Sequence, residues 1–306
     1  MRGLFLLPVF SSLSPALFKT AGFLTDIFLR AAEIGSRIPF GDFYVTTPRY
    51  WEMGFYFLLL FTFPAVINGR KWRLFLVGLV LFVLIEGGCL YTLSRGTGEL
   101  SVTFLDVGRG DAALVEFPQS SVMLIDAGGS MHHDTGFDFG MQVVAPVLYG
   151  KRIKRIDYMV ASHPHIDHFG GLVTLLENFT VGQLWINCDR QGGILYEKLL
   201  KHAAEKKVRI RVCSQETGHL EIDGVRIDFF NPEKSTPCFS STHVEVNNNA
   251  IVMKLRYGYV SFLFTGDIES QTEFRLIDEK HDIGATVLKV PHHGSLSSST
   301  EAVSYT

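Results

Sequence analysis

Residues 74–93, LFLVGLVLFVLIEGGCLYTL, carry one charge, Glu86, and limit what this chain can fold into more than any other stretch. About 20 mostly apolar residues are what a helix needs to cross the hydrocarbon core of a bilayer. A second run, residues 51–67 (WEMGFYFLLLFTFPAVI), precedes it, with Trp51 and Tyr56 suited to an interfacial belt. Between the two, Arg70, Lys71 and Arg73 crowd a very short loop. The pattern predicts a membrane hairpin with its turn in the cytoplasm, since basic loops stay on that side. The competing reading is a pair of buried core helices. Upstream, residues 4–33 begin like a signal-peptide core broken by Pro8 and Pro15. They continue with Leu17, Phe18, Phe23, Leu24, Ile27 and Phe28 at helical spacing beside Lys19, Asp26 and Arg30. That predicts a membrane-associated amphipathic or bundle-facing helix.

The rest of the chain is different. Overall 47% of residues are hydrophobic and 19% charged, against about a quarter charged in ordinary soluble domains. Disorder is excluded by that apolar content. The 29 glycines show no collagen period, and 4 cysteines are too few for a disulfide scaffold. The average conceals two regions. Residues 1–100 hold 9 Lys/Arg and 6 Asp/Glu, whereas the remainder holds 19 and 25, and all 11 histidines lie after position 100. Residues 1–99 are therefore expected to form a membrane segment, and residues 100–306 an acidic domain that carries the titratable chemistry. With the Arg/Lys turn cytoplasmic, that domain lies outside the cytoplasm. Cys188, Cys213 and Cys238 contain no CxxC pair and do not decide the compartment.

From Ser101 the runs SVTFLDVG, AALVEF and VMLIDAG, split by Gly- or Pro-containing turns, predict an antiparallel meander. Strand and helix patterns then alternate. Strands are expected at 156–162, 183–187, 208–213, 225–230, 250–258, 259–266 and 286–290, and helices at 170–178, 194–206 and 268–279. Strands in blocks with helices between them indicate a layered α/β sheet domain.

Within it, Ser162-His163-Pro164-His165-Ile166-Asp167-His168 follows an apolar strand and opens a helix. His163 and His165, two apart on extended chain, point the same way and can chelate one cation. Asp167 and His168, past the bend, can face a second. Imidazole and carboxylate suit borderline divalent metals. Three further places end a strand with a ligand type, four residues in all: Asp126 after VMLI, Asp267 after SFLFTG, and His292 with His293 after VLKVP. Singly these are ordinary turn residues; together they bring polar tips to one sheet edge, where α/β sheets place their sites.

This set resembles the metallo-β-lactamase superfamily, whose HxHxDH motif matches HPHIDH. It is most similar to the hydrolase domain of the ComEC-type DNA-uptake proteins, through LDVGRGD (105–111), LIDAGG, HPHIDHFGG, the Asn247-Asn248-Asn249 run, TGD and KVPHHGS. The resemblance covers residues 100–306. It implies an αββα sandwich preceded by transmembrane helices, the last of a channel domain, with the hydrolase domain incomplete at its C-terminal end. It also implies two divalent metal ions, Zn2+ or Mn2+. His163 and His165 would bind the first and Asp167 and His168 the second, with Asp267 bridging and His292 or His293 completing a shell. Asp167, Asp267 and His293 would be catalytic. Asp126 would orient a ligating histidine, and Asp106, Asp111 and Asn248 belong to signature segments with a structural or orienting role.

The third-motif histidine of the superfamily has no PGH-like counterpart between 169 and 266. His243 is the nearest candidate, and the NNN run is the other occupant of that place. The implied function is a membrane-anchored nuclease of a DNA-uptake channel that degrades the strand not transported, with DNA, the membrane and other DNA-uptake proteins as partners. The alternatives are a non-catalytic DNA-guiding module and a membrane-tethered hydrolase of another phosphoester or a lactam. Lys151-Arg152-Ile153-Lys154-Arg155, the one dense basic run, is read either as a phosphate contact or as a solvated turn.

Overall fold

Along β2 (Ala113–Glu116) and β3 (Val122–Ile125), successive buried side chains belong to two different cores. Leu114 and Leu124 pack on one face, and Ala113, Val115, Met123 and Ile125 on the other. A strand apolar on both faces needs a layer on each side, and the structure, a computed structural model, supplies both. It describes residues 7–36, 46–67, 72–94, 96–130, 137–233 and 239–301. Arg70 and Lys71 of the expected cytoplasmic turn, Arg95, Cys238 and the first six residues lie outside these.

The chain divides into two units, Met1–Val45 and Thr46–Thr306. The first contains α1 (Leu7–Ser36), exposed along residues 18–34. In the second, α2 (Tyr50–Ile67) and α3 (Trp72–Ser94) occupy the two apolar runs. They form an antiparallel pair through ring contacts: Phe55 stacks on Phe82 at 4.1 Å, Trp51 meets Phe82 at 5.6 Å, and Phe63 meets Phe75 at 6.4 Å. Among the described residues, no helix is long and apolar enough to cross a membrane. The expected boundary near residue 100 falls between α3 and β1 (Ser101–Phe104), inside the second unit.

Two mixed sheets follow. The first has the order β1-β2-β3-β4-β5-β6, antiparallel through β3 and parallel across β4 (Arg155–Ala161), β5 (Thr180–Ile186) and β6 (Arg209–Val212). The second runs β11-β10-β9-β8-β7, built from β7 (His219–Ile222), β8 (Val225–Asn231), β9 (Val252–Tyr257), β10 (Val260–Phe264) and β11 (Val287–Leu288). Between the sheets lie Val115, Met123, Val160 and Trp185 against Ile227, Phe229, Met253 and Phe264.

Outside the first sheet pack α4 (Ala145–Gly150), α5 (Ile166–Asn178) and α6 (Gly193–Glu205). Phe169, Leu172, Leu175 and Leu176 of α5 make an apolar stripe at helical spacing. Outside the second sheet, Leu276 of α8 (Ser270–Asp278) and Ile268 meet Phe230, Val252 and Leu263. The helix–sheet–sheet–helix layering follows from these three cores. The short α7 (His243–Asn248), α4 and β7 are elements that the sequence pattern does not announce.

The basic run is not a free phosphate-binding patch. Lys151 pairs with Glu116 at 2.6 Å and Arg155 with Asp157 at 2.7 Å. Arg152, only 12% exposed, pairs with Glu52 of α2 and lies 3.6 Å from Glu86 of α3. Its guanidinium joins both helices of the hairpin to the sheet domain, and Lys154 alone among the four cations is exposed without an ion pair among the described residues. Charged stems of this kind seek carboxylates in apolar surroundings, where an unpaired charge is costly.

Candidate metal centre

The strand β4 ends at Ala161, the chain bends at His163 and Pro164 rather than staying extended, and His165 (φ −87, ψ 140) sits just ahead of α5. Asp167 therefore falls in the first helical turn, where the helix dipole favours a carboxylate. Two glycine segments pack directly on this turn. A Cβ at Gly110 would lie 2.1 Å from the Asp167 carbonyl oxygen, and one at Gly129 1.9 Å from that of Ile166. Only glycine permits that approach. The closeness lets Asp111 N–H donate to Asp167 O (3.3 Å) and Ala127 N–H to His168 O (2.8 Å). The LDVGRGD and LIDAGG runs thus form the seat on which HPHIDH rests.

Three imidazoles converge on one carboxylate oxygen. Asp267 Oδ2 lies 3.1 Å from His168 Nε2, 3.3 Å from His293 Nε2 and 4.0 Å from His163 Nε2. Each imidazole is aimed by a partner on its other nitrogen. His168 Nδ1 meets Asp126 Oδ2 at 2.9 Å, and His293 Nδ1 meets Asp111 Oδ1 at 3.3 Å. His163 Nδ1 lies 3.0 Å from Ser162 Oγ, whose single proton is donated to Asp126 Oδ2 at 2.7 Å. The serine can only accept from His163, so the proton sits on Nδ1 and the Nε2 lone pair faces Asp267. Carboxylate–imidazole–cation chains of this form are how proteins set the tautomer of a ligating histidine.

His165 extends the row. Its Nδ1 is 3.1 Å from His163 Nε2, and its Nε2 is 3.0 Å from His243 Nδ1. His243 therefore approaches through the nitrogen of His165 that faces away from His163. Asp167 Oδ2 is 3.8 Å from His293 Nε2. Among the described residues, Asp111, His168, Asp267 and His293 bring four ligand atoms within 4.8 Å of one another. In that group Asp111 spends one oxygen on His293 Nδ1 and the other on Lys289, which makes it an orienting carboxylate.

A divalent cation fits this donor set. His168 Nε2 is buried without a hydrogen-bond partner, although Asp267 Oδ2 lies 3.1 Å away. Buried polar atoms left unpaired cost free energy unless something else satisfies them. The electrostatics point the same way. Burial lowers His163 well below the usual imidazole range, and neighbouring His168 lowers it further, so it is neutral and its lone pair is available. Burial works against protonation of His168 and His293 too. Asp126 and Asp267 nevertheless raise the first to about 10, and Asp111, Asp167 and Asp267 raise the second to about 11. Asp267 itself is held far below the carboxylate range despite burial, by His168, His293 and His163. A cation seated among these carboxylates takes the place of the imidazole protons.

The remaining expected residues lie elsewhere. His292 turns away, its Nδ1 3.6 Å from Glu269 Oε1 and 3.4 Å from Ser297 Oγ. His292 (φ 46) and His293 (φ 52) are consecutive non-glycine residues in the left-handed region. Such conformations cost on the order of 1–3 kcal/mol each and are kept where the fold demands them; here the bend turns His293 inward. Asp106 is exposed and caps its own loop by accepting from Gly108 N–H at 3.1 Å.

Asn248 Oδ1 accepts from Glu269 N–H (3.0 Å), Asn247 donates to Glu269 Oε1 (3.0 Å), and Asn249 donates to buried Asp189 (3.1 Å). The asparagine run therefore ties α7 to its neighbours rather than reaching the imidazoles. Ser162 and Lys289 were missed by the sequence reading, although both lie in or beside its motifs. Polar residues flanking the ligands were the available signal.

The sequence profile of the metallo-β-lactamase superfamily matches residues 105–187. ComE operon protein 3 of Bacillus subtilis (strain 168) is 31% identical over 231 residues, which is 72% of this chain and 28% of that protein. Competence protein ComA of Neisseria gonorrhoeae is 26% identical over 244 residues, 79% of this chain and 30% of its own length. The chain thus spans less than a third of either relative. A solved metallo-β-lactamase from Cronobacter sakazakii (HARLDQ motif mutant S60) is 18% identical with a TM-score of 0.35, covering 52% of this chain and 56% of that one, a likeness too slight to argue from. Both competence relatives align across more than two thirds of the sequence, and the superfamily profile falls on the strands and turn that carry Asp111, Asp126 and HPHIDH. The chain therefore carries a metallo-β-lactamase-superfamily domain of the ComEC type.

Proposed function

We propose that this domain is a metal-dependent phosphodiesterase of a DNA-uptake channel, a nuclease that degrades the strand not transported. The observation that supports it best is the convergence of three imidazole Nε2 atoms on Asp267 Oδ2. His163 Nε2 and His165 Nδ1 would hold one divalent cation, and Asp167, His168 and His293 the other, with Asp267 between them. The donors suit Zn2+ and Mn2+ alike.

When bound, two such cations lower the pKa of coordinated water to about 7 and stabilise both oxygens of an in-line displacement. The chain's own residues orient this centre. Asp126 keeps His168 with its proton on Nδ1, Ser162 does the same for His163, and Asp111 aims His293.

The apolar runs of α2 and α3, and relatives named for competence, support a membrane anchor for the domain. Its location outside the cytoplasm draws on the basic turn and on Cys188, which is disulfide-bonded and so suited to an oxidising compartment. DNA, the membrane and other DNA-uptake proteins are the partners of this reading. One observation favours the alternative of a DNA-guiding module without catalysis. Among the described residues, the only further imidazole bonded to the His163–His165 pair is His243, through the outward nitrogen.

Metal analysis of the purified full chain, followed by cleavage assays on single- and double-stranded DNA with Zn2+ or Mn2+, separates the two. The expected result is bound metal with metal-dependent cleavage that His165→Ala abolishes. Bound metal without cleavage of either DNA would leave the guiding module standing.

A further inference from the structure

We infer that Lys289 is a positioning residue of the metal centre: it holds Asp111 and Asp267 so that each offers a single oxygen to the imidazoles and the cations. This rests on the metal-dependent reading above and concerns how the centre is shaped.

Lys289 follows β11, where its N–H donates to Leu263 O at 2.9 Å. Its side chain is 13% exposed, and its Nζ pairs with Asp111 Oδ2, lies 3.7 Å from Asp267 Oδ1 and donates to Gly266 O at 3.3 Å. The two carboxylates are divided in the same way. Asp111 puts Oδ2 on Lys289 and Oδ1 on His293 Nδ1. Asp267 puts Oδ1 toward Lys289 and Oδ2 toward His163, His168 and His293.

A carboxylate held through one oxygen alone is free to turn about its last torsion, which is broad and roughly two-fold. It can then present both oxygens to one cation. An ammonium on the far oxygen removes that choice. Lysine suits the place because its head group is a compact point charge with three donors and no acceptor. It attracts carboxylate oxygen without competing for a coordination position. A nearly buried ammonium is costly unless paired, and two carboxylates with one carbonyl supply the pairing.

A lysine that only balanced charge would leave the coordination geometry untouched, and this difference is testable. The full chain in detergent is loaded with Co2+, whose visible absorption per ion weakens and moves to shorter wavelength as coordination number rises. Lys289→Met is expected to bind the same number of ions as the parent with weaker, blue-shifted absorption, because Asp267 becomes free to give both oxygens. Lys289→Arg is expected to restore the parent spectrum.

A Lys289→Met spectrum that superimposes on the parent's overturns the inference while leaving the metal centre intact. A parent chain that binds no Co2+ overturns the metal-centre reading and this inference with it. Should the methionine variant fail to fold, Lys289→Gln carries the same expectation and the same refuting outcome.

Discussion

Asp126→Ala is the sharpest perturbation of the centre that removes no proposed ligand. The carboxylate is 2% exposed and serves three groups: Ser162 N–H at 2.8 Å, Ser162 Oγ at 2.7 Å and His168 Nδ1 at 2.9 Å. Hydrogen bonds to a charged acceptor contribute about 1.5–3 kcal/mol each. Removing one member of a buried ion pair costs about 3–5 kcal/mol. The contributions overlap, because one side chain makes all the contacts and networks are not additive. A loss of about 3–5 kcal/mol in the metal-free chain is therefore expected, rather than the sum.

Asp126→Asn should cost less in stability and still harm the site, since its NH2 group cannot accept the His168 proton that the carboxylate oxygen took. Loss of such an outer partner typically weakens metal binding 10–100-fold, or about 1.4–2.7 kcal/mol. Denaturant unfolding of the full chain in detergent, followed through the buried Trp185, reports the first effect, and titration against a chelating dye reports the second. If Asp126→Ala keeps both the parent midpoint and the parent metal affinity, the orienting role of Asp126 is wrong.

Metal affinity should rise with pH, and binding should release protons, because His168 and His293 are raised to about 10 and about 11. Titration calorimetry in buffers of differing ionisation enthalpy measures that release, and identical heats across buffers would contradict the protonated imidazoles. Since His168 is raised above the usual 6.5, its contribution to metal-free stability is full below about 6.5 and is lost as pH climbs through about 10. Arg152→Ala and Glu52→Gln should couple in a double-mutant cycle of thermal unfolding. The expected interaction energy is about 0.5–3 kcal/mol, whereas strict additivity would mean that the guanidinium does not tie α2 to the domain.

Periodicity made the outline of the fold legible. Strand runs in blocks with helix patterns between them, such as VMLI and YMVA followed by the helices at 170–178 and 194–206, indicated a layered α/β sheet domain, and β3, β4, α5 and α6 stand at those places. What periodicity cannot carry is short or conditional structure. Six-residue α7 is held by the Thr242–Glu245 capping box and by asparagine bonds to α8 and its approach, so its stability comes from partners distant in sequence.

The ligand types of HPHIDH, Asp126, Asp267 and His293 were readable only as a set, because an Asp at a strand end is singly an ordinary turn residue. The choice between His292 and His293 was not, because it depends on two left-handed backbone conformations that side-chain identity does not reveal. Lys289 went unread for a different reason. A lysine at a strand end is ordinarily a solvated residue, and only the fold places its ammonium between the half-buried Asp111 and the buried Asp267.

The charge balance of the centre bears on how a polyanion could reach it. Asp111, Asp126, Asp167 and Asp267 surround the imidazoles, and Lys289 is the one lysine or arginine ion-paired to any of them among the described residues. The basic run that could have drawn phosphates is instead largely engaged by Glu52, Glu86, Glu116 and Asp157. In the bare cluster the protonated His168 and His293 together with Lys289 offset three of the four carboxylates, so a phosphodiester still meets net negative charge inside a domain already rich in acid. Two divalent cations reverse the sign locally and create an attractive potential confined to the centre. Substrate attraction and hydrolysis would then depend on the same ions, so phosphodiesters are held only where they can be cut. On the proposed function, such an arrangement would let DNA pass the acidic remainder of the domain without being retained.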